Sequence, residues 1–281
     1  MKEKFLTDEI VRSFEEYLRK EEKSQNTVQK YVRDVKKFSD FLDGNAVTKQ
    51  LVIAFKEHLL NIGYAARSVN SMLASVNSLF LFLGWDGCNA KSVRIQKNIY
   101  CPEEKELTKS EYVRLCRVAK ANRGKRLELI LQTICGTGIR VSELQYVTVE
   151  AAKRGEAVVS LKGKTRIVFF VKELQKKLLS YAAEQKIFKG CIFVTRSGRT
   201  VDRTNIWREM KNLCGDANVD PQKVFPHNLR HLFARIFYGI EKDIAKLADI
   251  LGHSSIETTR LYIISTGAEH RRKMENMRLI I

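Results

Sequence analysis

Apolar residues recur at spacings of three and four through four successive stretches between Thr7 and Gly84, the pattern of helices that bury one face. Thr7 precedes Ile10, Val11, Phe14 and Leu18; a second run carries Val28, Tyr31, Val32, Val35, Phe38 and Leu42 up to Gly44. Thr48 then precedes Leu51, Val52, Phe55 and Leu59 up to Gly63, and Val69, Met72, Val76, Leu79, Phe80 and Leu83 lead to Gly84. A hydroxyl ahead of the first apolar position satisfies free backbone N–H groups, and a glycine after the last one ends the helix. One compact helical unit is expected.

From Asp86 to Glu106 the periodicity fails, the composition turns polar and Pro102 falls within the stretch, which reads as an interdomain linker. Thr108-Lys109-Ser110-Glu111 then offers a capping box for a new helix start. Residues 157–171 are the one β region, two β-branched apolar runs flanking Lys162-Gly163-Lys164-Thr165, and predict a hairpin. Helical periodicity covers 125–136, 172–187, 202–214, 227–238, 241–250 and 256–264. The pattern predicts a mainly α chain with a small antiparallel β-sheet: a helical unit at 1–85, a linker at 86–106 and a second domain at 107–281. No internal repeat is visible.

Composition changes this picture in one respect. Lys and Arg number 50 against 32 Asp and Glu, a formal charge of +18, and the first 100 residues hold only 16 of the basic and 12 of the acidic side chains. The surplus therefore belongs mostly to the second domain and calls for a polyanionic partner, with nucleic acid the leading class. No run approaches the roughly 18 apolar residues of a membrane span, and the N-terminus lacks the apolar segment of a signal peptide, so a cytoplasmic protein with no membrane partner is expected. Six cysteines show no C-x-x-C or other zinc spacing and read as reduced thiols.

Four segments of the second domain carry side chains suited to one phosphate. In Thr137-Gly138-Ile139-Arg140-Val141-Ser142-Glu143-Leu144, the two glycines at 136 and 138 are expected to break a helix, with Arg140 opening the next. A helix start favours an anion, a guanidinium adds bidentate donors, and Glu143 three residues on can hold Arg140 in one rotamer. The hairpin turn supplies Lys162 and Lys164, flexible ammonium groups able to donate a proton. Pro226-His227-Asn228-Leu229-Arg230-His231 opens a helix with His227 and Arg230 on one face. His227 and His231 have the spacing of zinc ligands, but Asn228 stands where a zinc peptidase has Glu, and no metal site is expected. Finally, Gly252-His253 precedes a short helix that ends in Tyr262. Each feature alone has an ordinary explanation: a surface Arg–Glu pair, a solvated turn, a half-buried tyrosine.

In this order, TGIRVSEL at 137–144, LKGKTRIV at 161–168, PHNLRH at 226–231 and LGHSSIETTRLY at 251–262 resemble the tyrosine site-specific recombinases of the phage integrase family. The resemblance implies a helical core-binding domain followed by an α+β catalytic domain. It assigns Tyr262 as nucleophile, Arg140 and Arg230 as phosphate clamp, and Lys162 and His227 as acid and base. His253 becomes a phosphate-contacting donor and Glu143 a supporting carboxylate. The short Lys-Gly-Lys turn leaves Lys162 and Lys164 as alternatives for the catalytic amine, with Lys162 favoured by its place before the glycine. Lys164 and Arg166 are otherwise expected to contact DNA.

A phenol with an ordinary pKa of about 10 needs a base and nearby positive charge to attack a phosphodiester, and two arginines can stabilise the phosphorane without a metal or other cofactor. The resemblance further implies a 3′-phosphotyrosyl intermediate, a Holliday junction and a homotetramer on two double-stranded DNA sites, with accessory DNA-bending proteins as further partners and a nucleoid location. The chain is expected to begin at the core-binding domain, without an arm-site domain. A topoisomerase of type IB, or a DNA-binding regulator without catalysis, would share much of this pattern. The tail residues Met274, Met277, Leu279, Ile280 and Ile281 form an apolar set that can dock on a neighbouring protomer.

Overall fold

The computed structural model describes residues 3–95, 105–161, 164–195, 197–263, 271 and 274–277. The chain divides into two compact units, Met1–Lys97 and Asn98–Ile281.

The first unit is built from four helices, α1 (Asp8–Lys20), α2 (Gln25–Leu42), α3 (Lys49–Asn61) and α4 (Ala66–Phe82). The hydroxyls of Thr7, Ser24 and Thr48 accept the N–H groups of Ile10, Thr27 and Leu51, each satisfying a donor that a helix start leaves free. The predicted stripes are the buried ones: Phe14, Phe38, Phe55 and Phe80 are almost inaccessible, and burying each such side chain contributes about 1.5–3 kcal/mol. A polar tie crosses α2 and α4, where Lys30 Nζ donates to Asp34 Oδ2 (2.6 Å), to Ser75 Oγ (2.9 Å) and to the Ser71 carbonyl (2.8 Å). Asp34 is buried and also accepts from Ser75 Oγ at 2.9 Å.

The expected linker is shorter than its sequence suggested. Cys88 and Ala90 are buried with the first unit's core, and the side-chain amides of Asn77 and Asn70 each pair with both backbone groups of one residue, Ala90 and Val93 respectively. Two asparagines thus act as backbone mimics, holding a segment that has no helical or strand period. At the other end, Asn228 Nδ2 donates to the Lys105 carbonyl (3.0 Å), and Arg235 donates to Glu106 and to the Leu107 carbonyl, so 105–107 belongs to the second unit.

The second unit begins at α5 (Lys109–Val118), where the Thr108–Glu111 capping box is formed in both directions. Its centre is α6 (Lys125–Thr137), packed against α11 (Pro226–Glu241). Gly136 lies inside α6 rather than breaking it; the helix ends at Gly138, whose φ of +66° is a left-handed cap. A Cβ on Gly138 would also stand 2.6 Å from the Phe233 ring, so glycine is required twice over. Residues 141–146 form a single 3-10 segment, then α7 (Val149–Arg154) leads into the antiparallel hairpin β1 (Glu156–Leu161) and β2 (Lys164–Phe169), with Val159 opposite Arg166. The remaining helices are α8 (Lys172–Glu184), α9 (Arg203–Lys211), α10 (Cys214–Ala217), α12 (Ile244–Leu251) and α13 (Ile256–Arg260). The described cysteines are free, and burial pushes the Cys135 thiol up to about 12, leaving it unreactive at neutral pH. No described helix is long and apolar enough to cross a membrane.

Candidate active site

Arg140, Glu143, His227, Arg230, His253 and Tyr262 come together where the 138–143 turn, the first turn of α11 and the α12–α13 junction meet. Two of the predicted residues cannot be placed: Lys162 and the side chain of Lys164 lie outside the described residues.

Glu143 is the buried anion of the site, 1% exposed. It accepts from Arg140 NH1 at 2.9 Å and from Arg166 NH2 at 2.6 Å, and its Oε2 also takes the Arg140 backbone N–H at 2.8 Å. Arg140 does open a helix, but a 3-10 one, and caps it with Glu143. Residues 141–146 are too short for a helix dipole to matter, and Glu143 occupies the backbone donor that an anion would have used. The positive potential comes from side chains instead.

Arg230 is 1% exposed and, among the described residues, has no carboxylate of its own. Its NH1 donates to the Gly138 carbonyl and its NH2 to the Leu251 carbonyl at 2.5 Å, while Nε is buried without a partner. Burial, and secondarily the Arg140 charge, pushes its pKa down to about 10, which still leaves it protonated at pH 7. Among the described residues, three guanidiniums, Arg140, Arg166 and Arg230, therefore share one carboxylate. Such a surplus in a partly buried site is stabilised by a bound anion.

Tyr262 is 7% exposed and boxed in by rings. His231 stacks on it with centroids 4.0 Å apart and planes 8° from parallel, His227 meets it edge-on, and the Arg230 guanidinium lies 5.9 Å from its centroid. Its hydroxyl is 3.1 Å from His227 Nε2. Burial and the charges of Arg230 and Arg140 hold the His227 pKa below its usual value, so the imidazole is neutral at pH 7 and accepts the phenol proton. His231 and His253 are pushed down to about 4, both by burial first; His227 and Arg230 add to the shift at His231, and the arginines to that at His253.

His253 Nε2 lies 3.1 Å from Arg230 NH2 and its Nδ1 lies 2.8 Å from Thr259 Oγ1. With Arg230 donating to Nε2, the proton of the neutral ring is on Nδ1 and directed at Thr259. A phosphate that drew Arg230 away would free that nitrogen.

Beside these residues a cleft of about 460 Å³ is lined by Arg140, Ser142, His227 and Arg230, and by Arg203 and Trp207 from α9. Sequence reasoning passed over Arg203 and Trp207, although an Arg and an aromatic four apart on one helix face were readable. It also read His231 only as a zinc spacing; among the described residues no three His, Cys, Asp or Glu side chains form a metal-binding group. Expected on DNA, Arg166 is turned inward, 12% exposed, and both terminal nitrogens are engaged within the protein.

A tyrosine hydroxyl held against an imidazole, beside a cationic cleft, is an arrangement suited to phosphoryl transfer through a tyrosine nucleophile. The chain belongs to the phage integrase family, the tyrosine recombinases: that family's description matches residues 105–269, and the family's N-terminal SAM-like domain matches residues 11–87. Over its full length the chain is 28% identical to tyrosine recombinase XerA of Pyrococcus furiosus, covering 98% of that protein. It is 27% identical to XerD of Staphylococcus epidermidis, with 89% of this chain and 91% of that one covered. Among solved structures, a XerA recombinase superposes with a TM-score of 0.54 at 25% identity, covering 98% and 100% of the two chains. A lambda integrase dimer bound to a core site superposes with a TM-score of 0.75 at 17% identity over 94% and 96%, a likeness of fold.

Proposed function

We propose that this recombinase cuts and rejoins double-stranded DNA at specific sites through Tyr262. The observation that carries the reading is the 3.1 Å approach of the Tyr262 hydroxyl to His227 Nε2, beside a cleft lined by Arg140 and Arg230. His227 takes the phenol proton as Oη attacks phosphorus. Arg140 and Arg230 move from backbone carbonyls onto the non-bridging oxygens and neutralise the phosphorane. The P–O5′ bond breaks, and Lys162, or Lys164 in its place, protonates the leaving oxygen. A 3′-phosphotyrosyl link and a free 5′-hydroxyl result. The bond energy is kept, so attack by another strand's 5′-hydroxyl rejoins the DNA without ATP.

Exchange of one pair of strands and then the other, through a Holliday junction, places four copies on two sites. The charge of +18 supports salt-dependent clamping of duplex DNA by phosphate contacts. Met274 and Met277 are 58% and 59% exposed, which supports docking of the C-terminal tail on a neighbouring copy.

The test is an SDS gel in EDTA of wild type and Tyr262→Phe with labelled genomic fragments. A protein–DNA adduct from wild type alone, confined to particular fragments, is expected. Adducts on every fragment would mean a relaxing topoisomerase; intact binding with no adduct would mean a DNA-binding regulator.

A further inference from the structure

One arginine of the cluster has no part in the chemistry just described. Arg166 stands on β2 and does not line the cleft. Its guanidinium is divided between two anchors: NH2 donates to Glu143 Oε2 at 2.6 Å, and NH1 donates to the Ile250 carbonyl at 3.1 Å. Its stem crosses Gly252 so closely that a Cβ there would meet Arg166 Cδ at 2.4 Å. Its Nε is buried without a partner.

The second anchor belongs to a set. Three successive carbonyls at the end of α12 are taken by three different arginines: Ile250 by Arg166, Leu251 by Arg230 and Gly252 by Arg140. The last carbonyls of a helix have no partner within it and form the negative end of its dipole, so they attract cations. Two of these arginines line the cleft and must exchange a carbonyl for a phosphate oxygen; Arg166 does not and keeps both anchors.

We infer that Arg166 is the positioning residue of this site: it locks Glu143 to the end of α12, so that Arg140, Arg230 and His253 converge on one phosphate, and it does not touch DNA. The role needs arginine, because a rigid planar fork holds two separated acceptors in fixed directions, whereas an ammonium is a point charge on a flexible stem. The inference rests on the function proposed above.

The experiment compares wild type, Arg166→Met and Arg166→Lys on the fragment that gives the wild-type adduct, in single-turnover cleavage. Misplacing the clamp is expected to slow cleavage by about 100-fold in the Met variant, with an intermediate loss in the Lys variant. The salt dependence of binding is expected to stay the same, whereas a lost phosphate contact would lower its log–log slope by about 0.9. On DNA with a methylphosphonate at the scissile position, where less charge needs neutralising, the deficit of the variant is expected to shrink by about tenfold. Three results overturn the inference: wild-type cleavage, a lowered salt slope, or equal deficits on both substrates, the last meaning general damage. Should the Met variant melt below the assay temperature, the Lys variant decides by the same comparisons. Should wild type form no adduct, the function falls first, and hydrogen exchange decides this point separately. The His253 amide, bonded to the Ala248 carbonyl at 2.9 Å, must exchange faster in Arg166→Met, and unchanged exchange overturns the inference.

Discussion

Each unit of the molecule holds a network of charge around a buried carboxylate, and the two differ in how far their cations keep water. In the first unit Asp34 pairs with Lys30 at 2.6 Å and with Arg33 at 3.6 Å, Ser75 fills the remaining position, and both cations keep water, 31% and 75% exposed. In the second, Glu143 is the one carboxylate among the described residues for Arg140, Arg166 and Arg230, and Arg230 is fully enclosed. Where the cations keep water, the network joins helices. Where one is enclosed it costs stability unless it is held by dipoles, here the end of α12, and completed by a bound anion.

The sharpest way to break this comparison is to leave the charges intact and remove the nucleophile. Tyr262→Phe preserves the ring against His231 and deletes only the hydroxyl, so cleavage is expected to fall by about 10⁴-fold or more while DNA affinity holds. Quantified adduct on SDS gels and equilibrium binding check both halves, and measurable cleavage by the variant would remove Tyr262 from the role.

Next in size is the lone carboxylate. Glu143→Ala leaves Arg140 and Arg166 unpaired and is expected to cost about 3–5 kcal/mol of stability in denaturant melts, the cost of breaking a buried pair. Asp34→Ala in the first unit is expected to cost about 1–3 kcal/mol, because Lys30 can regain water. Below its melting temperature the Asp34 variant should cleave like wild type, whereas the Glu143 variant should not. Equal effects on cleavage would mean that the two networks do not differ in kind.

Much of the fold was legible because it depends on local pattern. The caps at Thr7, Thr48 and Thr108, the left-handed stop at Gly138 and the apolar stripes of α1 to α4 are written within one or two helical turns of sequence. Most of the site was legible through its resemblance, and Arg140, His227, Arg230, His253 and Tyr262 do meet. What escaped depends on partners distant in sequence. Asn70 and Asn77 hold Val93 and Ala90 by mimicking backbone, which leaves no period to read, so the linker was drawn too long. α7 is six residues long, too short for periodicity to show. Arg166 was placed on DNA by its charge, although it lies two residues before the buried Val168 and therefore on the same inward face of β2.

The smallest expected effect is a difference in acid sensitivity between the units. A histidine whose folded pKa is depressed leaves stability unchanged above about 6.5, where folded and unfolded forms are both neutral. Below that the unfolded state binds the proton first, and stability falls until the folded pKa is reached. For His231 and His253 that window runs from about 6.5 to about 4, at no more than about 1.4 kcal/mol per pH unit for each ring. Carboxylates held low by hydrogen bonds act later: Glu111, Glu150, Glu184 and Asp202 lose their contributions only as pH drops through their own lowered values. All six groups are in the second unit. The two tryptophans divide between the units, Trp85 in the first and Trp207 in the second. Fluorescence of Trp85→Phe and Trp207→Phe therefore reads each unit separately, and acid unfolding is expected at a higher pH through Trp207 than through Trp85. Cleavage should also fail as pH falls, since protonating His227 removes the acceptor for the Tyr262 proton. Because burial and the two arginines hold that pKa below 6.5, the loss should begin below neutrality, and a cleavage profile falling already between pH 8 and 7 would take the base role from His227.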